Sequence, residues 1–171
     1  MIIASKLIPS GAGLAPVLVR RAATIELDWD TRQKSRFDAT DSQGRALGVF
    51  LPRGSVVRGG DILIAEDGSL IAVKAKPQPV LVVTPCDDGS PLDLLRAAYH
   101  LGNRHVPLEV NASHLQLEPD HVLAEMLRRM GMRVAEADAP FEPEAGAYDA
   151  ARSAHGHDHG HSHDHDGHSH A

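Results

Sequence analysis

Residues 80–137 read VLVVTPCDDGSPLDLLRAAYHLGNRHVPLEVNASHLQLEPDHVLAEMLRRMGMRVAEA, and the order of strand and helix signals in them decides the fold. Val80 to Thr84 is a compact β-branched run, the composition of a strand with a buried face. Ser90-Pro91-Leu92-Asp93 then starts a helix: a hydroxyl cap, a Pro where the missing N–H costs nothing, and an acid three residues on from the cap. That helix carries Leu92, Leu95 and Tyr99 on one face and is predicted to stop near Gly102. Leu108 to Val110 and His114 to Glu118 flank Asn111-Ala112-Ser113 and read as a hairpin. Pro119 and Asp120 open a second helix bearing Val122, Leu123, Met126, Leu127 and Met130. Arg128 and Arg129 lie near its carboxyl end, where the dipole favours cations, and Gly131 is the stop. Met132 to Ala137 supplies a last strand. The order βαββαβ is that of a ferredoxin-like split sandwich, with both helices on one face of an antiparallel sheet.

Working outward, the pattern changes at Lys76-Pro77-Gln78-Pro79, so 1–76 is expected to be one domain and 77–148 a second, followed by a tail at 149–171. The first part reads as a small all-β domain, which makes the chain α+β as a whole. Ile25, Leu27 and Trp29 alternate with Glu26 and Asp28; a turn at Asp41 to Gly44 precedes Ala46 to Leu51; Glu66-Asp67-Gly68 separates Asp61–Ala65 from Ser69–Ala75. Short strands punctuated by Gly and Pro suggest a barrel or a sandwich. The basic cluster Arg32, Lys34 and Arg36 reads as a solvated face rather than a docking site.

The chain has 171 residues and a formal charge of −6, which argues against general nucleic-acid binding. No apolar run reaches membrane-spanning length, and Met1 to Leu18, broken by Lys6, Pro9, Ser10 and Gly11, lacks a signal-peptide layout, so the cytoplasm is the expected location. The single cysteine, Cys86, permits no intramolecular disulfide and no Cys-rich metal framework, and reads as a half-buried structural thiol. Any metal held here is held by imidazole and carboxylate.

Of the 12 histidines, His155, His157, His159, His161, His163, His165, His168 and His170 crowd the carboxyl end, spaced by Gly, Ser and Asp. Such a segment cannot bury enough surface to fold alone, and is expected to be disordered when empty. Its spacers distinguish it from an uninterrupted expression tag. On extended chain, residues i and i+2 project to the same side, so neighbouring rings can converge on one ion. Neutral imidazole suits Ni, Cu, Zn and Fe(II), whereas Ca and Mg prefer oxygen.

Four histidines lie in the body. His105 sits in Gly102-Asn103-Arg104-His105-Val106-Pro107, where Gly102 and Asn103 tolerate a left-handed turn and Pro107 stiffens the exit. It is either a metal ligand or a capping residue, and a two-fold axis beside it would pair it with its copy. His100, next to Tyr99, is turned away from Leu92 and Leu95, as a surface residue or a ligand. His114 shares a strand face with Gln116 and is expected to be solvated. His121 follows Asp120 in a first helical turn, where a neutral, metal-ready ring is favoured over a cationic one; cap and secondary ligand both remain open.

Tyr99-His100-Leu101-Gly102-Asn103-Arg104-His105-Val106-Pro107-Leu108 and Phe141-Glu142-Pro143-Glu144-Ala145-Gly146-Ala147-Tyr148, with a His-rich tail after them, resemble the UreE family of nickel metallochaperones. Arg32-Gln33-Lys34-Ser35-Arg36 and the stretch from Arg53-Gly54 to Gly60-Asp61 resemble that family's N-terminal peptide-binding domain. The likeness covers essentially the whole chain. It implies a homodimer joined through ferredoxin-like domains, Ni(II) bridged between protomers by the histidine of the G-N-R-H motif, here His105, and delivery to apo-urease in a complex with the accessory GTPase. Some family members carry a His-x-His pair before the second helix, whereas Leu117-Glu118-Pro119-Asp120-His121 keeps only the second ring.

A carrier needs exposed, exchangeable imidazoles rather than a closed thiolate site, and a tethered tail raises the local ligand concentration. Imidazole binds metal only when neutral, so binding weakens below about pH 6.5. Zn(II) or Cu(II) could occupy the same rings in vitro. The alternatives are a nickel or zinc storage protein without a dedicated client, and a metal-dependent hydrolase built on His105 and Asp120. Against the hydrolase, the sequence has no H-E-x-x-H helix, no Walker-type phosphate loop and no nucleophile elbow, so the expectation is a binding protein and not an enzyme.

Overall fold

The computed structural model describes residues 1–146; the tail histidines His155 to His170 lie outside them. Ten strands and four α-helices are assigned among the described residues, and the strands form two sheets.

The first sheet is built from β1 (Ile2–Ile8), β2 (Ala23–Leu27), β3 (Arg36–Thr40), β4 (Ala46–Phe50), β5 (Ile62–Ala65) and β6 (Leu70–Ala75), in the order β2-β6-β5-β1-β4-β3. It is mixed: β1 runs parallel to β4 and β2 parallel to β6, while the remaining pairs are antiparallel. Its two edges meet where Ser42 N–H donates to Thr24 O at 2.8 Å and Thr24 N–H to Ser42 Oγ at 3.0 Å, so the sheet curls towards a barrel. Ile25, Val49, Leu63, Ile71 and Val73 fill the inside, each worth roughly 1.5–3 kcal/mol when taken out of water.

This half is not all-β. Two short helices, α1 (Pro16–Arg21) and α2 (Trp29–Arg32), interrupt it. The alternation that made Trp29 a strand residue ends at Leu27. Asp28 turns the chain by accepting Thr31 N–H at 2.9 Å, and Trp29 becomes the first residue of α2. Thr31 also holds the Asp28 carboxyl below the usual carboxylate range.

The second half runs β7 (Gln78–Pro85), α3 (Pro91–Gly102), β8 (Glu109–Val110), β9 (Leu115–Leu117), α4 (His121–Arg129) and β10 (Met132–Ala139). Its sheet order is β10-β7-β9-β8 with every pair antiparallel, which is the split βαβ arrangement. Asp93 accepts from Ser90 N–H at 2.8 Å and from its hydroxyl at 3.0 Å, closing the start of α3. Gly131, at φ +79°, ends α4 as expected.

The inward face of α3 differs from the expected one. Leu94, Ala97 and Leu101 pack into the core with Leu81, Val83, Leu115 and Leu127, whereas Leu92, Leu95 and Tyr99 are 50%, 66% and 65% exposed. A 3.6-residue period shows that two apolar stripes exist and does not say which meets the sheet.

Candidate metal site and the seam beside it

His105 lies where α3 unwinds. His105 N–H donates to Gly102 O at 2.9 Å and Val106 N–H to Leu101 O at 3.3 Å. This pair of bonds, five-to-two and six-to-one, is the Schellman ending, with Val106 packing on the same core as Leu101. The residue between them must be left-handed, and glycine is its usual occupant. Here that residue is His105, at φ +56°. The left-handed turn therefore falls neither on Gly102 nor on Asn103, which is right-handed at φ −62°. Ser10 is the only other non-glycine residue with positive φ among those described.

The His105 ring is exposed, and so are His100 and His121. His100 stacks edge-on to Tyr99 with ring centroids 5.4 Å apart, and its carbonyl accepts from Arg104 at 2.7 Å. His121 opens α4 behind Asp120, whose carboxylate accepts from Val122 N–H at 2.8 Å and Leu123 N–H at 3.0 Å, so Asp120 caps the helix. The antiparallel topology puts the end of α3 and the start of α4 at the same end of the sheet. His105 and His121 thus share one end of the domain. Among the described residues no three His, Cys, Asp or Glu side chains come together as a metal cage.

His114 stands at the hairpin tip, away from that end, and is half-buried rather than solvated. Its ring contacts Asn111 at 3.3 Å, Ser113 at 3.2 Å and Gln116 at 3.4 Å. Gln116, expected on an open face with it, is only 8% exposed. Both residues lie on the sheet face opposite the helices, where Gln116 is grouped with Glu109. Cys86 is half-buried and unpaired.

The chain after β10 covers part of that face. Phe141 is fully buried against Trp29 and Val80. Glu142 N–H donates to Glu109 Oε2 at 2.6 Å, and Glu144 N–H to Leu108 O at 2.8 Å. The Glu142 carboxylate accepts from Arg32 Nη1 at 2.7 Å, from Gly59 N–H at 2.8 Å and from Arg58 at 3.4 Å. Arg32 also donates to Leu27 O and Phe141 O, and Arg58 to Pro143 O. Both guanidinium groups lie over the Trp29 ring, at 5.3 and 4.9 Å from its centroid.

Arg32 is therefore 0% exposed and is no part of a solvated basic face. Lys34 is exposed and pairs with Asp30 at 2.7 Å, and Arg36 is exposed. Sequence reasoning missed Arg32, Arg58 and Glu142 as a unit because Glu142 is 110 residues from Arg32, and no local pattern links them.

A family model of the UreE urease accessory protein N-terminal domain matches residues 4–76, and one of its C-terminal domain matches residues 78–170. The chain belongs to the UreE family. The urease accessory protein UreE of Methylibium petroleiphilum is 73% identical over 157 residues, covering 91% of this chain and 72% of the relative. That of Albidiferax ferrireducens is 67% identical over 156 residues, covering 91% and 90%. That of Ralstonia nicotianae is 55% identical over 148 residues, covering 86% and 69%. Membership gives this UreE-family chain a role in urease maturation, and the matched ranges take in both sheets and the His105 loop. No helix among the described residues is long and apolar enough to cross a membrane.

Proposed function

We propose that this chain is a nickel metallochaperone: a cytoplasmic homodimer that holds Ni(II) between the His105 rings of two protomers and donates it to apo-urease alongside the accessory GTPase. The observation that carries this reading is the left-handed backbone at His105. A helix ending built only for structure would place glycine there. This chain keeps an exposed imidazole instead, at a conformational cost of about 1–2 kcal/mol, and strain of that kind collects at functional positions.

One imidazole cannot hold an ion, so the remaining ligands come from a second protomer or from the tail. The exposed stripe Leu92, Leu95 and Tyr99 ends six residues before His105, on the helix whose ending His105 forms. An apolar stripe of this size favours a covered face, and a two-fold axis along it would bring the two His105 loops side by side. His100 lies on the helix that leads to that position and His121 at the same end of the domain, and we assign His155, His157, His159, His161, His163, His165, His168 and His170 as further exchangeable donors. Ligand-by-ligand exchange among imidazoles allows firm binding without a closed cage, so the protein carries its ion and catalyses nothing. Zn(II) and Cu(II) compete for the same donors in vitro.

Nickel titration calorimetry on the full-length His105→Ala protein, with the dimer mass recorded beside it, tests the reading. The tight site should vanish while the mass stays that of a dimer; unchanged tight binding would refute it. Urease activation in cells lacking the protein separates delivery from storage, because a storage protein is dispensable when nickel is abundant.

A further inference from the structure

Glu109, Asn111, His114 and Gln116 project from one face of the β8–β9 hairpin. Glu109 pairs with Gln116 in the ladder, and Asn111 N–H donates to His114 O at 3.0 Å across Ala112 and Ser113, so the four positions form two facing pairs. The intervening Leu115 and Leu117 are buried on the helix side of the sheet, which leaves the polar side chains on the other. Strand pairing and a tight turn thus hold four oxygen- or nitrogen-bearing side chains in one place.

Their tips close a ring. Asn111 Nδ2 lies 3.2 Å from Glu109 Oε1 and 3.3 Å from His114 Nε2, and Gln116 Nε2 lies 3.4 Å from each of the same two atoms. Hydrogen bonds of this kind are ordinarily about 2.7–3.2 Å long, so the ring is wider than a network of good hydrogen bonds would draw it. Four atoms with these edges stand roughly 2.0–2.4 Å from a common centre, the length of a metal bond to nitrogen or oxygen.

Glu109 turns Oε1 towards that centre while its Oε2 accepts Glu142 N–H at 2.6 Å. His114 Nε2 faces two amide N–H groups and is the acceptor, which assigns the ring proton to Nδ1, 3.2 Å from Ser113 Oγ. A bond through the second ring nitrogen is how proteins orient a metal-binding imidazole. Gln116 is 8% exposed and aims its amide into the ring, yet its Oε1 is buried without a hydrogen-bond partner. A half-turn of the Asn111 and Gln116 amides exchanges nitrogen for oxygen at the ring. For Gln116 the half-turn leaves nitrogen in the place Oε1 vacates, and trades two 3.4 Å hydrogen bonds for a metal–oxygen bond.

We propose that this hairpin face is a second metal site, in which Glu109 Oε1, Asn111 Oδ1, His114 Nε2 and Gln116 Oε1 bind one divalent transition ion of the Zn(II) or Ni(II) class. It lies at the hairpin tip, away from His105, and stands whether or not His105 binds metal. Four donors are too few for Ca(II), and the imidazole disfavours Mg(II). Only two of the donors are of the usual His, Cys, Asp or Glu type, because amides supply the others.

NMR of the isotope-labelled, full-length protein during Zn(II) titration, with free zinc set by a chelator, tests the site. The His114 Nε2 resonance and the side-chain amide resonances of Asn111 and Gln116 should move together. Glu109→Gln should raise the free zinc needed for these shifts by about 10- to 100-fold. A His114 ring that never moves overturns the site. So does a ring that moves while both amides stay put, because that zinc is bound by the imidazole alone. Where Glu109→Gln fails to fold, Asn111→Ala at the turn takes its place, and an unchanged zinc requirement in the folded variant is equally fatal.

Discussion

Replacing His105 by glycine should make the protein more stable and, at the same time, unable to hold its tight metal ion. The backbone there is left-handed at φ +56°, a conformation that costs a side-chain-bearing residue about 1–2 kcal/mol. Glycine removes that cost but loses roughly 0.5–1 kcal/mol more backbone entropy on folding. The difference is a net gain of about 0.5–1 kcal/mol, because the exposed ring contributes little packing and both Schellman bonds survive the change. For a body of this size that is a rise of about 2–3 °C in Tm. His105→Ala keeps the strain and loses the ring, so it should melt near the parent and below His105→Gly. Thermal unfolding in excess chelator gives the order, and nickel calorimetry on the same samples gives the binding loss. A His105→Gly protein that melts below His105→Ala would show that the loop is not strained as described. One that melts higher and still binds nickel tightly would separate strain from function and remove the ground for assigning His105 as the ligand.

Other perturbations probe the rest of the structure. Arg32→Met breaks a pair whose arginine is fully buried; because the Glu142 side chain keeps 30% exposure, the loss should be near the low end for such pairs, about 3 kcal/mol, read by urea unfolding. Loss below about 1 kcal/mol would mean the seam contributes little. Leu95→Glu places a charge in the middle of the exposed α3 stripe and should halve the solution mass measured by light scattering; an intact dimer would move the interface elsewhere. The hydrogen bonds from Ser90 hold the Asp93 carboxyl below its ordinary value, so its stabilising contribution is present above about pH 4 and lost as pH falls through the lowered folded value. Protection of the amides in the first turn of α3, taken relative to their intrinsic exchange rates at each pH, should therefore fall on acidification, and Asp93→Asn should abolish that dependence.

The second half of the fold was legible in the sequence because its signals are local. Ser90 to Asp93, the Asn111–Ser113 turn and Gly131 each mark an element end within a few residues, and the element order followed from them. The first half was less so. β1 pairs with β4 and β5 rather than with a neighbour in sequence, and Ile2 to Ile8 shows no clean alternation. Helices of six and four residues, α1 and α2, are too short for a periodicity to reveal. His105 was legible as a candidate from residue type and loop context, but its strain was not, since Gly102 and Asn103 beside it are the residue types that usually absorb a left-handed turn. The cradle around Glu142 depends on contacts between distant segments, which a single sequence does not encode locally.

Trp29 is the only tryptophan in the chain, and it sits between two guanidinium groups and Phe141 at the junction of the two halves. The unlabelled protein consequently carries its own optical gauge. Indole emission responds to neighbouring charge and to wetting, and here it should shift whenever the Glu142 carboxylate leaves its guanidinium partners. Fluorescence during nickel loading, or during mixing with a client, would then report on the junction between the halves in real time without any added dye.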